Sequence, residues 1–337
     1  MWNEKYFDLS NYTVGVSIRA SILTCIVYLI YAVIAKYDLS FYFFGLGIFM
    51  VAILEIFDKH IVPSILLRHS ILLCFISGIL LSISCILHSN LLVSCLMLLF
   101  LLWLTGLSAT SGVFNSITTL LTSYMFIVGT GFDINIGTSF WYSVSYILGG
   151  STLAIITNLY LKFAKPDVQY HPLIKHKLLK FEKLEINFSI RISIAVIGCY
   201  IVSRLWDLQP VYWLPTVALF IQKVDHNLSF QRIKHRLLGT LIGYAISVVI
   251  ILLVHNKFIL SLVVLPIMFF MIICFAKHYG AYIVFLTALT VISYTLFDPK
   301  VVSIANIRLL DTTLGVFIVL IITFISSKAT REFKHIS

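Results

Sequence analysis

The chain is written as a succession of apolar blocks, most of them close to the length needed to cross a bilayer. Twelve helices are expected, near 14–35, 41–57, 70–88, 91–107, 112–129, 137–161, 187–203, 208–222, 237–254, 258–276, 279–297 and 308–327. A span of about 20 mostly apolar residues is what a hydrocarbon core about 30 Å thick requires. Only 11% of the 337 residues are charged and 60% are hydrophobic. A water-facing surface needs about a quarter charged residues, so most of this surface must face lipid. The first apolar run is too long for a secretory h-region and lacks a small-x-small cleavage site, and reads as a retained membrane anchor. The fold class is therefore an all-α polytopic membrane protein with about 12 transmembrane helices.

Charge placement orients the bundle. With twelve spans both termini share a side, and 19 of the 24 Lys and Arg residues then fall on that side. By the positive-inside rule that side is cytoplasmic. The net charge of +10 is accounted for by topology and by attraction to anionic lipid, with no need for nucleic acid. The six cysteines (Cys25, Cys74, Cys85, Cys95, Cys199 and Cys274) lie in apolar blocks without a CxxC pair. They read as small core side chains, neither a disulfide framework nor a metal site. No HExxH, GxSxG or nucleotide-binding motif is present, so neither an enzyme, a cofactor nor a primary pump is expected.

The longest polar segment divides the chain in two. The expected layout is a first six-helix repeat over 1–161, a basic cytoplasmic linker over 162–186, a second six-helix repeat over 187–327 and a short tail over 328–337. The halves open alike, with SIRASI at 17–22 and SIRISI at 189–194. An even number of helices per half makes the repeats parallel. Within the second half, RLLGTLIG (236–243) and RLLDTTLG (308–315) recur, each read as the start of an apolar helix. Three helices separate them, so each half reads as a 3+3 inverted repeat with one arginine at each face, a common transporter plan. In the first half Arg68 precedes the third helix, and Tyr142 stands seven before Gly149 where an arginine would sit. The second half is thus expected to hold more of the chemistry.

Candidate residues follow from the cost of charge in a bilayer. Arg236 and Arg308 offer planar forks for a carboxylate, or else anchor helix mouths at headgroups. Asp311 is either a structural partner of Arg308 or a proton-sensitive latch. Tyr212, Trp213, Pro215 and Thr216 lie in a short helix expected to be broken by Pro215, where aromatics either stack a substrate ring or join the interfacial belt. Gly239, Thr240 and Gly243 form a small face, for packing or for substrate contact. Glu55, inside VAILEIFD, is a candidate proton relay, with Asp58 and His69 as possible partners. The segment 105–123 carries nine hydroxyl side chains and Asn115, for lining a pathway or for interhelical hydrogen bonds.

The order Tyr212-Trp213-x-Pro215-Thr216, Asp225, Ser229, then Arg232-x3-Arg236-x2-Gly239-Thr240-x2-Gly243, closing on Arg308-x2-Asp311-Thr312-x2-Gly315, resembles the fusaric acid resistance and aromatic acid exporter family. The clear likeness covers about 205–325. The resemblance implies a bacterial inner-membrane efflux protein for small aromatic or amphipathic carboxylic acids, driven by the proton gradient. It implies membrane lipid and a small organic anion as partners, and leaves a periplasmic adaptor and homo-oligomerisation open. Members often carry a large soluble domain after each unit, whereas 24 residues (162–185) follow the first unit here. Two other readings stand beside export: a passive anion channel related to malate-channel six-helix units, and a membrane assembly protein that transports nothing.

Overall fold

A computed structural model describes residues 14–34, 39–57, 62–132, 134–164, 181–297 and 301–336. Among these the chain is entirely helical: α1 (Val14–Ile34), α2 (Leu39–Phe57), α3 (Pro63–Leu87), α4 (Leu91–Leu107), α5 (Val113–Gly129), α6 (Ile136–Ala164), α7 (Lys183–Leu205), α8 (Trp213–Ile221), α9 (His226–Leu253), α10 (Lys257–Lys277), α11 (Tyr279–Phe297) and α12 (Val301–Ile336). Six of them, α3, α6, α7, α9, α10 and α12, are long and apolar enough to cross a membrane.

The burial pattern is that of a lipid-exposed helix rather than a water-exposed one. On α9, Leu238, Leu241, Val249, Leu252 and Leu253 face outward, while Ser229, Arg232, Arg236, Thr240 and Ser247 are buried. Water would drive the reverse arrangement. With lipid as solvent, apolar contact is available outside and polar groups gather within. The hydroxyls of 105–123 follow suit. Thr105 bonds Ser123 at 2.8 Å and Ser108 bonds Thr119 at 2.5 Å, tying α4 to α5. All six thiols are free.

Three helix starts differ from expectation, for one reason. Hydropathy marks where a block becomes greasy, not where the backbone begins to coil. α3 begins at Pro63, whose missing N–H costs nothing at a helix start. α9 begins at His226, with the Asp225 carboxylate accepting from the Asn227 amide at 2.8 Å. α12 begins at Val301 and runs to Ile336, through the expected tail.

The eighth helix is the largest departure. It has nine residues, about 13 Å of rise, too little to cross a bilayer alone. It runs beside α7, antiparallel to it. The Ser203 hydroxyl donates to the Val211 carbonyl at 2.9 Å before α8. Beyond its far end, Arg191 donates to the carbonyls of Lys223 and Val224. Arg232 donates to the Phe220 carbonyl at 2.9 Å. A short helix ending inside protein must have its last carbonyls satisfied; Arg232 does that for Phe220, while Arg191 satisfies the carbonyls just beyond the helix. Pro215 does not break α8. It sits in the first turn, where no intrahelical acceptor is needed.

Helix pairings recur between the halves. α1·α2, α1·α6, α2·α6, α3·α5, α3·α6 and α4·α5 are matched by α7·α8, α7·α12, α8·α12, α9·α11, α9·α12 and α10·α11. The halves join through α4·α7 on one flank and α1·α10 on the other.

Candidate functional site

α8, α9, α11 and α12, with α2 and α5 from the other half, line an internal chamber. Arg236 and Arg308 both line it. Arg236 is the eleventh residue of α9 and Arg308 the eighth of α12, about 15 and 10 Å along their helices. They are therefore not at helix mouths, and the helix dipole, which fades within the first turn, contributes little. Nor do they sit at opposite faces. The helices advance from opposite ends, so the two RLL motifs converge on one chamber. Burial, to 1% and 4% exposure, also removes the headgroup-anchor reading.

The guanidinium of Arg308 lies over the Trp213 ring at 4.8 Å, a cation–π contact. In neither arginine do Nε and Nη1 have a hydrogen-bond partner among the described residues. A buried cation left so costs several kcal/mol unless an anion completes it (about 3–5 when a partner is lost). Asp311 does not complete it by hydrogen bonding. It is 0% exposed and neither of its oxygens has a hydrogen-bond partner among the described residues, so its carboxylate acts on Arg308 through space rather than as a hydrogen-bonded pair.

Aromatic rings close one end. The Tyr42 and Tyr212 hydroxyls meet at 3.2 Å. Phe132 stacks on Tyr212 at 5.6 Å and meets Phe43 edge-on at 5.1 Å. At the other end Tyr124 packs on Phe220 at 5.4 Å, beside the Arg232 guanidinium, which lies over Tyr279 at 4.3 Å.

Of the residues singled out from the sequence, Tyr212, Trp213, Thr216, Arg236 and Arg308 line the chamber. Pro215, Gly239, Thr240 and Gly243 are not among its walls. Gly239 and Gly243 instead abut α11: a Cβ at Gly239 would come within 2.8 Å of Ile283, and one at Gly243 within 2.8 Å of Thr287. Glu55 lies elsewhere, 1% exposed at the α1–α2–α6 junction, with Thr157 and Arg19 nearest it. Its oxygens meet no hydrogen-bond partner in good geometry among the described residues. Asp58 lies outside the described residues. The chamber residues not foreseen are Tyr42, Phe49, Tyr124, Phe220, Tyr282, Leu286 and Thr290. Tyr42-Phe43 does echo Tyr212-Trp213 in sequence. The others are single side chains in apolar runs, with no local signal.

Fold and chamber together define a multi-pass helical membrane protein with an enclosed, cationic, aromatic-walled cavity. Residues 197–322, which supply α8, α9, α11 and both arginines, match the family described as fusaric acid resistance protein-like. An uncharacterized protein of Synechocystis sp. is 31% identical over 101 residues, covering 30% of this chain and 13% of that protein. The chain thus matches only a small part of that relative's length. No solved structure matches.

Proposed function

We propose that the protein exports small aromatic or amphipathic carboxylic acids across a bacterial inner membrane, with both termini cytoplasmic. One observation carries the reading: two buried guanidiniums, each with Nε and Nη1 unpartnered, converge on an aromatic-walled cavity. A carboxylate would complete the hydrogen bonding of both, and a ring would find stacking partners in Tyr212 and Trp213. The recurrent helix pairings support two parallel six-helix repeats. The facing RLL motifs support an inverted relation inside the second.

Coupling to protons divides between two acids. Protonating Asp311 would free Arg308 from a competing carboxylate and strengthen anion binding. Proton and anion would then travel together. Exchange needs a proton site apart from the anion, and Glu55 is such a site. Glu55 is therefore the coupling carboxyl, and Asp311 offsets the charge of Arg308 through space when the chamber is empty.

The test is uptake of benzoate and related acids into inverted membrane vesicles, with and without an imposed proton gradient, for wild type and Arg236→Ala. Gradient-dependent accumulation that Arg236→Ala abolishes is expected. Equilibration without a gradient would make the protein an anion channel. No flux of any acid would leave the assembly-protein reading.

A further inference from the structure

Beside the arginine chamber lies a second, partly open space, walled by α1, α2, α5, α10 and α11. Tyr28, Phe49, Val264, Met268, Met271 and Leu289 give it an apolar lining, and among the described residues no charged side chain lines it. Tyr42, Phe49, Tyr124, Leu286 and Thr290 border both spaces, so the two share a wall. Gly45 also lines this annex. A Cβ there would meet nothing nearer than the Tyr28 ring, at 3.5 Å. The glycine thus leaves room rather than permitting close packing.

A charged compartment abutting an apolar one is shaped for a molecule with a carboxylate at one end and a hydrocarbon body at the other. Methionines at Met268 and Met271 suit bodies of varied outline, because the thioether chain adapts its rotamers. We propose that the annex takes the apolar body of the transported anion while Arg236 and Arg308 hold its carboxylate. The preferred substrates are then amphipathic acids that extend beyond a single ring. The proposal rests on the anion-export reading for the role of the two arginines.

Equilibrium dialysis of radiolabelled benzoate and its 4-ethyl, 4-butyl and 4-hexyl derivatives tests it. The full chain is held in lipid nanodiscs, and discs bearing the Arg236→Ala, Arg308→Ala protein serve as the blank for partition into lipid. Affinity should rise roughly fourfold per methylene, the gain for burying one CH2, until the annex is full. Gly45→Leu, which extends a side chain into the annex, should collapse the ratio of hexyl to unsubstituted affinity towards one. Equal affinities across the wild-type series, as when a lipid acyl chain resides in the annex, would overturn the proposal. So would a ratio that Gly45→Leu leaves intact. Binding with the expected length dependence but no flux in vesicles would overturn export alone. No binding of any acid would overturn both.

Discussion

The two halves solve one packing problem with different chemistry. In the first, Phe43 of α2 stacks on Tyr142 of α6 at 5.0 Å. In the second, Trp213 of α8 lies under Arg308 of α12 at 4.8 Å. In both, a glycine seven residues on lets the two helices close: Gly149 meets Phe44, and Gly315 meets Val217 and Leu214. Near the other end, Arg19 neighbours Glu55, while Arg191 holds the segment just before Asp225. An aromatic ring thus accepts either another ring or a guanidinium, and the scaffold persists under both. The two buried arginines with unpartnered nitrogens lie in the second half, whereas Glu55 of the first is buried apart from them.

The largest test of that contrast gives the second half the first half's solution. Arg308→Tyr should stop benzoate transport, on the order of a hundredfold, because a charge-assisted contact is worth about 1.5–3 kcal/mol. Arg236→Ala should do the same. Yet Arg308→Tyr should unfold within a few degrees of wild type by thermal melting, since a ring in that place is already accommodated at Tyr142. A protein that fails to fold would break the equivalence.

Next in size is Glu55→Gln. Accumulation driven by a proton gradient should vanish, while benzoate binding measured by dialysis stays within about twofold, there being no contact between Glu55 and the chamber. Loss of both together would place Glu55 on the anion route and undo the division between the halves. Asp311→Asn, which removes the competitor for Arg308, should instead tighten binding several-fold and flatten its dependence on pH.

A stability comparison is finer. A methyl at Gly149 runs into the Phe44 carbonyl, whereas one at Gly315 meets Val217 side-chain carbons at 3.0 Å. Backbone cannot yield as a side chain can. Gly149→Ala should cost about 1–3 kcal/mol. Gly315→Ala should be nearly neutral, its crowding offset by the gain of about 1 kcal/mol from replacing a helical glycine. Thermal unfolding in detergent compares the two, and equal losses would show that crowding against backbone and against a side chain cost alike here.

Much of this was readable from the chain because lipid imposes length and apolarity on helices, and twelve helices stand where the apolar blocks are. The twin RLL motifs also carry the two arginines that line the chamber. Their depth was hidden. HNLSFQRIKH is polar enough to look like a loop, and an average over residues cannot register that Ser229, Arg232 and Arg236 share one buried stripe with greasy neighbours outside. Pairing across the halves was hidden as well. The Tyr42–Tyr212 contact joins positions 170 apart, and nothing local to either tyrosine announces the other.

The smallest expected effect is the most exposing for the proposed asymmetry. Arg68 stands on α3, the first-half counterpart of α9, much as Arg236 does in the second. It differs in environment: Arg68 is exposed, while Arg236 is enclosed with two unpartnered nitrogens. An exposed arginine in this setting lays its stem along apolar surface and carries its charge outward. Arg68→Ala should change stability by no more than about 0.5 kcal/mol and leave benzoate flux in inverted vesicles at the wild-type level. Were flux to fall as far as in Arg236→Ala, arginines of equivalent place would matter alike whatever their burial. The unsatisfied guanidinium pair would then no longer explain where the anion goes.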